Sequence, residues 1–494
     1  MLLNFKKESR KRRGGWDGDR EQRSRVMPME QRKLQLIDRG RANIALYAET
    51  GKEMTRDLTR IGERARLNGK EKFTSIYHYV SDPDHLERCY EELETKRASG
   101  VDGVSKEEWG RELKRNIEEL SERLGRMGYR PQAVKRVYIP KAGSDKKRPL
   151  GIPCFEDKLV QMSMVRVLEQ IYEADFLDCS FAYRRGRTQH GLLSELGRTI
   201  QQKKVSFVVE ADIRSFYDQV NHDWTIKFLE ERISDERVIR LVKRMLRGGV
   251  MEDGLVKASE EGVPQGGVLS PLLSNVYLHY ALDLWMERSF KSKCRGEAYY
   301  FRYADDFIAC FQYREDAEKY LREMEERLKK FHLEIEPSKT KLLEFGRFAE
   351  ENAKRKGKEP ETFDFLGFTH YCGQTRKGEF KVKRQTSKKK FRAKLKETKE
   401  WLKSERSLMK KGELLKQAKR KIEGHLNYYA ITDNYEMCYS YSQQVVRLLY
   451  KWLNRQSQRS SYTWEQLESA LAWVKWPAIN IRHNLSPFLR DAGP

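Results

Sequence analysis

Residues 299–311 read YYFRYADDFIACF, and the fold is most readily inferred from this stretch. Two short runs of apolar and aromatic residues flank Asp305 and Asp306, a pattern that predicts two β-strands joined by a tight turn. Aspartate is common in turns, so the pair alone could be no more than turn residues. Adjacent carboxylates repel each other, however, and each raises the pKa of the other unless a cation neutralises them. A hard divalent metal ion is the cation that carboxylate oxygens favour.

A third candidate carboxylate, Asp212, ends the apolar run that begins at Phe207. From this run onward the pattern predicts strand, helix, strand, strand, helix and strand, which is the split βαβ order of a four-stranded sheet. In that order Asp212 ends one central strand, and Asp305 and Asp306 lie at the turn of the neighbouring strand pair. Taken alone, Asp212 is more typical of a helix or turn cap. Together the three acids predict one metal centre at the edge of the sheet.

Two further segments carry chemistry suited to a nucleotide. A hairpin is predicted around Lys141 and Arg148, and its basic side chains could either neutralise a triphosphate or merely keep a loop soluble. Residues 261–271, EGVPQGGVLSP, predict a glycine-rich loop that enters a helix, with Ser270 as the N-cap. Glycines in such a loop would allow the backbone to lie close to a flat ligand.

The chain as a whole is strongly basic. Its 494 residues include 98 Lys and Arg against 74 Asp and Glu, a formal net charge of +24. This charge indicates a polyanionic partner, and nucleic acid is favoured over a membrane because no apolar run approaches the roughly 20 residues that span a bilayer. The basic start lacks the apolar core of a signal peptide, so we expect a soluble intracellular protein. The 7 cysteines are scattered, without the spacing of a zinc site or a disulfide framework.

Basic residues are densest in the region that starts at Lys388, where apolar residues at helical spacing predict a helical bundle. A basic run usually marks a solvated helix face, but few acids accompany this one, which favours a nucleic-acid groove. The RNA-binding candidates are Lys388, Lys389, Lys390, Arg392, Lys419 and Arg420. The basic segment 1–72 is open to two interpretations as well. It is either a solvated tail, disordered near its start, or an arm that folds on RNA.

Six motifs, taken in order, resemble the reverse-transcriptase blocks of group II intron-encoded proteins. They are RPLGIP at 148–153, ADI at 211–213, PQGGVLSP at 264–271, YADD at 303–306, SKTK at 338–341 and FLGF at 365–368. Two later segments, GHLNYY at 424–429 and KWLNR at 451–455, resemble the thumb or maturase segment of the same proteins. In that family the protein helps its own intron RNA to fold for splicing and then copies RNA into DNA at an insertion site.

The resemblance implies roles for individual residues of this sequence. It assigns the Mg²⁺ ligands as Asp212, the main-chain carbonyl of Ile213, Asp305 and Asp306. It assigns the nucleotide contacts as Lys141 and Arg148 for the triphosphate, Gln265 beside the incoming nucleotide, and Tyr217 as an aromatic gate that would clash with a ribose 2′-hydroxyl. Carboxylates suit this role because Mg²⁺ prefers oxygen ligands and keeps positions for phosphate and water.

The fold class that the resemblance implies is α+β. It is a right-hand polymerase fold, with fingers and a palm built on the split βαβ sheet, followed by an α-helical thumb or maturase domain. The predicted boundaries are a basic extension at 1–72, fingers at 73–200, palm at 201–384, thumb at 385–475 and a short tail at 476–494. The sequence shows no Cys/His endonuclease module near its end, so a mobile-intron protein of this kind would need a target already nicked or single-stranded.

The predicted function is RNA-directed DNA polymerisation, combined with binding of a group II intron RNA and assistance to its splicing and mobility. The expected partners are that intron RNA, an RNA template with a DNA primer, dNTPs and target DNA, with no membrane and with the oligomeric state open. The expected location is the bacterial cytoplasm, with the nucleoid when the protein acts on DNA. Two alternatives stand beside it: a domesticated relative that serves DNA repair or defence, and a splicing-only maturase, against which the intact acids and Tyr217 argue.

Overall fold

The computed structural model describes residues 56–140, 147–257, 261–455 and 462–485. The predictions for residues 1–55, for Lys141 and for residues 486–494 lie outside these ranges. Within them no helix is both long and apolar enough to cross a membrane. The cysteines are free thiols, and most of them are buried.

The first part of the described chain is mainly helical. Its elements are α1 Arg56–Leu67, α2 Tyr77–Ser81, α3 Pro83–Glu92, α4 Lys106–Trp109, α5 Leu113–Gly125, β1 Val134–Pro140, β2 Lys147–Ile152, α6 Phe155–Asp175 and α7 Gln189–Gln202. Helix α6 is buried along most of its length rather than on one stripe, so it can accept packing partners all round. Helices α1, α2 and α3 pack against it.

The middle of the chain contains most of the strands. Its elements are β3 Phe207–Asp212, α8 Phe216–Gln219, α9 His222–Glu230, α10 Glu236–Leu246, β4 Val250–Glu252, β5 Leu255–Lys257, α11 Ser270–Leu278, β6 Ala298–Tyr303, β7 Asp306–Phe311, α12 Arg314–Lys330 and β8 Lys341–Glu344. Helix α11 continues through π-helical turns as far as Phe290. Strands β4 and β5 extend the first hairpin into a four-stranded sheet of order β2-β1-β4-β5.

The central sheet has the order β6-β7-β3-β8, and each strand is antiparallel to its neighbours. This is the four-stranded split βαβ sheet that the sequence predicts, with β3 and β7 as its central strands. Helix α12 packs on it through residues buried at three-to-four spacing, which include Ala317, Tyr320 and Met324. The apolar residues 333–335 also predict a strand, but the structure has only an isolated bridge between Ile335 and Ile213 there, because a 3₁₀ turn starting at Pro337 ends the pairing.

The last part of the chain is a small sheet followed by helices. Its elements are α13 Ala349–Arg355, β9 Phe363–Phe365, β10 Phe368–Gln374, β11 Phe380–Thr386, α14 Lys388–Glu405, α15 Lys411–Tyr429, α16 Tyr435–Leu453 and α17 Trp464–Trp473. The sequence predicts two strands here, with residues 363–368 as one. The structure has three, in the order β11-β10-β9, because Leu366 and Gly367 take φ values of 48° and 83° and reverse the chain.

Buried apolar side chains form three clusters. The first joins the N-terminal helices to one face of the central sheet, and the second joins the other face to the small sheet. The third lies inside the C-terminal helices. Helix α1 falls within the predicted N-terminal extension, yet Leu58 and Ile61 are buried in the first cluster. At the other predicted boundary the small sheet ends and the helices begin at Ser387, the N-cap of α14.

Candidate active site

The hairpin of β6 and β7 and the end of β3 bring the three candidate aspartates to one edge of the central sheet. Asp306 is the first residue of β7 and pairs in register with Asp212 of β3 and with Tyr303 of β6. Ala304 and Asp305 form the two-residue turn, in which Ala304 has a φ of 57°. Two-residue hairpins need such a left-handed residue because its twist matches that of the strands. One aspartate from β3 therefore lies beside two from the hairpin.

Two of these carboxylates hold their protons more tightly than an ordinary aspartate does. The pKa of Asp305 is raised, first by loss of hydration among protein atoms and then by the charge of Asp212. The pKa of Asp306 is raised to about 7 by the same loss of hydration and by repulsion from Asp305 and Asp212. Arg148 and Lys339 act in the opposite direction at Asp305 but do not cancel the shift. Burial and the mutual repulsion of the acids therefore both disfavour the fully ionised site.

Asp212 forms an ion pair with Lys339, whose ammonium group donates a hydrogen bond to Oδ2 of the carboxylate. Partial burial acts to lower the pKa of Lys339, but the bond to Asp212 and the nearby acidic charges outweigh it, and the pKa is raised. Lys339 therefore stays charged at neutral pH. Its side chain is 53% exposed, so the pair is screened by water and a competing cation could displace the lysine at little cost.

Within the residues that the structure describes, no group of three or more His, Cys, Asp or Glu side chains is arranged to hold a metal ion. The sequence predicts that Asp212, Asp305 and Asp306, with the carbonyl of Ile213, converge on one metal. The acids share a sheet edge and Lys339 engages the carboxylate of Asp212, so their convergence on one metal stays a prediction. The donor set still fits a hard cation, since it offers carboxylate oxygens whose mutual repulsion a divalent ion would relieve.

The hairpin is anchored from below by Arg302, a fully buried residue of β6. Its guanidinium donates two hydrogen bonds to the buried carboxylate of Asp283, at 2.7 Å to Oδ1 and 2.6 Å to Oδ2. It also donates to Asn275 Oδ1 at 3.0 Å, to Ser180 Oγ at 2.8 Å and to the carbonyl of Ala304 at 3.1 Å. Because the last bond reaches the turn itself, Arg302 ties the position of the acids to the helix that starts at Ser270.

The predicted gate residue, Tyr217, lies in α8 just after β3. Its hydroxyl is 3.2 Å from the hydroxyl of Tyr183. Burial raises the pKa of both phenols, and the charge of Asp305 adds to the effect, so both rings are neutral and lie near that carboxylate. Arg148 is exposed on β2 and acts electrostatically on Asp305 and Tyr183. The arginine and the two tyrosines therefore all interact electrostatically with the same acid.

The glycine-rich loop before α11 lies against β2. The amide of Gly151 donates a hydrogen bond to the carbonyl of Gln265 at 2.6 Å. Gly266 has a φ of 113°, and a Cβ on it would come within 2.7 Å of the Gly151 carbonyl oxygen. The close approach that requires this glycine is therefore to a strand, where the sequence suggests a flat ligand. Ser270 does not cap the helix as predicted, because its hydroxyl donates to the carbonyl of Pro264 at 2.8 Å and Leu269 precedes the first turn.

The predicted RNA-binding residues separate into two groups. At the start of α14, Lys388, Lys389 and Arg392 are exposed, while Lys390 is half-buried. The charge of Lys390 acts to lower the pKa of Asp306, so this lysine interacts electrostatically with the acidic edge. The second group lies on α15 beside the end of α17 and contains Lys419 and Arg420.

Residues 139–370 match the family model for reverse transcriptase (RNA-dependent DNA polymerase). The matched segment begins in β1 and ends in β10, and it contains the central sheet and all three aspartates. Residues 139–370 are a reverse transcriptase domain. Enzymes of this family generally depend on divalent metal ions, which agrees with the oxygen donors at the sheet edge.

The relatives of this reverse transcriptase domain include intron proteins. The chain is 35% identical over 222 residues to the group II intron-encoded protein LtrA of Lactococcus lactis subsp. cremoris. The aligned residues cover 45% of this chain and 37% of LtrA. It is 35% identical over 241 residues to protein YkfC of Escherichia coli K12, covering 42% of this chain and 62% of YkfC. It is 31% identical over 179 residues to nuclear intron maturase 2, mitochondrial, of Arabidopsis thaliana, covering 28% of this chain and 24% of that protein.

These matches confirm the resemblance to group II intron reverse transcriptases that the motifs predict. The chain spans less than two thirds of the length of each of these relatives.

Sequence reasoning about the reverse transcriptase domain missed four residues of the site. Arg302 could have been identified from the sequence, because a charged residue in an otherwise aromatic strand must either be exposed or form an ion pair. Lys339 lies in the SKTK motif, but nothing in the motif names Asp212 as its partner. Tyr183 and Asp283 reach the site from distant parts of the chain, and their local sequence carries no signal of that contact.

A pH dependence of Mg²⁺ stabilisation follows from the raised pKa values of Asp305 and Asp306. Because the folded state binds protons at these groups more tightly than the unfolded state, their contribution to the free energy of unfolding is favourable at low pH and is lost as pH rises toward 7. Added Mg²⁺ should relieve the repulsion only where the acids are ionised. We expect Mg²⁺ to raise the melting temperature by roughly 2 °C or more at pH 8 and much less at pH 5.5.

Differential scanning fluorimetry at the two pH values, with and without Mg²⁺, would measure this difference. Asp306→Asn should remove most of it. An equal Mg²⁺ shift at both pH values would contradict the assignment of the cation to these acids.

Proposed function

We propose that the chain is an RNA-directed DNA polymerase that also binds a group II intron RNA and assists its splicing and mobility. The observation that carries the proposal is the register of Asp212 with Asp306, which gathers three aspartates at one edge of a reverse transcriptase domain. The names of the relatives, LtrA and intron maturase 2 among them, support the intron partner. The acids being intact favours polymerisation over a splicing role alone.

In this proposal Asp212, Asp305, Asp306 and the carbonyl of Ile213 would hold Mg²⁺. Bound there, the metal would lower the pKa of a primer 3′-hydroxyl and stabilise the charge that develops on pyrophosphate. Lys339 would hold the carboxylate of Asp212 in place until the cation and nucleotide arrive. Its exposure and charge support such an exchange.

The nucleotide would lie between the acidic edge and the tyrosine pair. Arg148 would hold its triphosphate, because the residue is exposed on β2 and acts electrostatically on Asp305. Lys141 would join it from the hairpin tip. Tyr217 would stand against the sugar, where a ribose 2′-hydroxyl would clash with a ring held by Tyr183. Gln265 would contact the incoming nucleotide from the loop that packs on β2.

In this proposal the parts of the chain correspond to those of a right-hand polymerase fold. Residues 73–200 would be the fingers, 201–384 the palm and 385–475 the thumb or maturase domain, with 1–72 as a basic extension and 476–494 as a tail. The central sheet supports the palm assignment, and the separate core of the C-terminal helices supports the thumb. The template–primer and the intron RNA would contact the basic C-terminal helices, and target DNA would receive the copy. We place this activity in the bacterial cytoplasm and at the nucleoid, where these substrates are found.

The proposal is tested by primer extension. The intact chain is incubated with a DNA primer annealed to an RNA template, dNTPs and Mg²⁺, and extended DNA is resolved on a gel. We expect extension that requires both Mg²⁺ and dNTPs. Tight RNA binding without any extension would overturn the polymerase assignment and leave a splicing-only maturase.

The lysines at the start of α14 supply a second prediction, on RNA affinity. Lys388 and Lys389 are exposed, whereas Lys390 acts on the acidic edge, so only the first two can be removed without disturbing the site. Replacing both with Ala should weaken RNA binding and lower the slope of log affinity against log salt by roughly 1 to 2 units, since each phosphate contact contributes about 0.7 to 0.9.

The matched control removes two exposed lysines of α12, Lys329 and Lys330, and so changes the net charge equally. If the two double variants gave equal slopes of log affinity against log salt, the α14 lysines would be part of a solvated helix face and not of an RNA-binding surface.

A further inference from the structure

A basic cavity lies on the C-terminal helices, on a part of the chain outside the reverse transcriptase domain. It has a volume of about 310 Å³ and is lined by α15 and by the end of α17. Four of its lining residues are cations, Lys416, Lys419, Arg420 and Lys475, and one is an acid, Glu423. Its volume is at the small end of the range for ligand pockets, about 300–1,000 Å³. The cavity therefore suits a ligand of modest size and negative charge.

The helical period explains why these charges gather. Lys416, Lys419, Arg420 and Glu423 follow one another at positions i, i+3, i+4 and i+7 of α15, so they share one face of that helix. The opposite face is apolar and buried in the core of the C-terminal helices, with Leu414, Leu415 and Ile422 among its members. Lys419 and Glu423 form one ion pair at 3.5 Å, and a single acid cannot neutralise four cations.

One lining residue of the cavity is a tryptophan. Trp473, the last residue of α17, is 64% exposed, one of the most exposed large apolar side chains of the described chain. Its ring packs near Gly412, where a Cβ would meet ring carbons at 3.4 Å, and the ammonium of Lys416 lies 5.4 Å from the ring centroid. These contacts hold the indole in place and leave most of its surface open. An exposed tryptophan in a cavity lined by cations is a combination that can bind unpaired nucleotides, through base stacking and phosphate contacts.

We propose that this cavity binds one unpaired nucleotide of a single-stranded RNA segment. Its base stacks on Trp473, and its phosphates contact Lys416, Lys419, Arg420 and Lys475. The inference rests on the proposed function in one respect, because it assumes that RNA is a partner of the C-terminal helices. Beyond that function, it identifies the place at which an unpaired base binds. An acidic protein segment is the competing ligand, but it would bind the cations without contacting the exposed face of the indole.

The experiment measures affinity of the full chain for a fluorescent single-stranded oligoribonucleotide, for the same strand with abasic positions, and for a blunt RNA duplex. Trp473→Ala should weaken binding to the single strand by about 5- to 100-fold and leave its salt slope unchanged, because stacking carries no charge. The abasic strand and the duplex should bind the variant and the intact chain equally. Lys419→Ala should instead lower the salt slope, by about 0.7.

Two control variants separate stacking from folding. Trp473→Phe keeps an aromatic face and should retain most of the affinity. Phe348→Ala removes a comparably exposed aromatic, 56% exposed and outside the cavity, and should change nothing. If Trp473→Ala bound the intact strand as tightly as the unmodified chain, or lost equal affinity for the duplex or the abasic strand, the proposal would be overturned.

Primer extension separates this proposal from the proposed function. Trp473 is remote from the aspartates in sequence and is not among the residues that contact them, so the variant should extend a saturating primed template normally. Normal extension with unchanged RNA affinity would overturn the cavity proposal alone. An intact chain that neither extends primers nor binds RNA would overturn both.

Discussion

Asp305→Asn is expected to reduce DNA synthesis by roughly 10²- to 10³-fold or more, while RNA affinity stays within a factor of two or so. Asparagine keeps the shape of the turn residue but removes the negative charge through which the acidic edge would hold a divalent cation. The fold should not suffer. The pKa of Asp305 is raised because its ionised form is disfavoured in the folded chain, so a neutral side chain should leave the melting temperature equal or slightly higher at pH 8.

Primer extension, RNA affinity and thermal melting measured on one preparation would distinguish a chemical defect from an unfolded protein. Asp253→Asn is the matched control, because Asp253 is exposed, lies in the turn between β4 and β5 and has a φ of 51° that asparagine also tolerates. Undiminished synthesis by the Asp305 variant would remove this residue from the metal site.

Arg302→Met is expected to lower the free energy of unfolding by about 3–5 kcal/mol, because it leaves the buried carboxylate of Asp283 without its partner. The hairpin should also lose its anchor, since Arg302 donates to the carbonyl of Ala304 in the turn. DNA synthesis should therefore fall even at temperatures where the variant is folded. Denaturant unfolding, followed by far-ultraviolet circular dichroism, would give the free energy.

The double variant Arg302→Met with Asp283→Leu should be more stable than Arg302→Met alone, because it removes the unpaired charge as well. Arg314→Met is a suitable control: it breaks an exposed pair with Glu318, 2.9 Å long, and should cost less than about 1 kcal/mol. If Arg302→Met cost no more than this surface control, the buried pair could not be the anchor of the hairpin.

Several features of the site follow from local sequence. Short apolar and aromatic runs predict β3, β6 and β7, and the adjacent aspartates predict the turn between the last two, because strands and tight turns depend on residues close in the chain. The helical period likewise predicts α12 and the basic face of α15. One prediction from local sequence was wrong, in the small sheet. The turn at Leu366 and Gly367 was missed because six mostly apolar residues resemble one strand.

Contacts between distant segments could not be predicted in this way. Lys339 meets Asp212 across 127 positions and Tyr183 meets Tyr217 across 34, and neither pair leaves a periodic trace in the sequence. The burial of α1 in the first core depends on α6, which is buried on nearly all sides, and its local sequence does not show which helices pack against it.

The amino-acid pattern was therefore sufficient for the split βαβ sheet and for the placing of Asp212, Asp305 and Asp306 at one edge of it, because each depends on the order of short strands and on the residues at their ends. It was not sufficient for the partners of those acids. The pairing of Lys339 with Asp212, the burial of Arg302 against Asp283 and the placing of Trp473 beside α15 arise when whole elements pack against one another. Packing fixes distances between residues far apart in the chain, and local sequence carries no record of them.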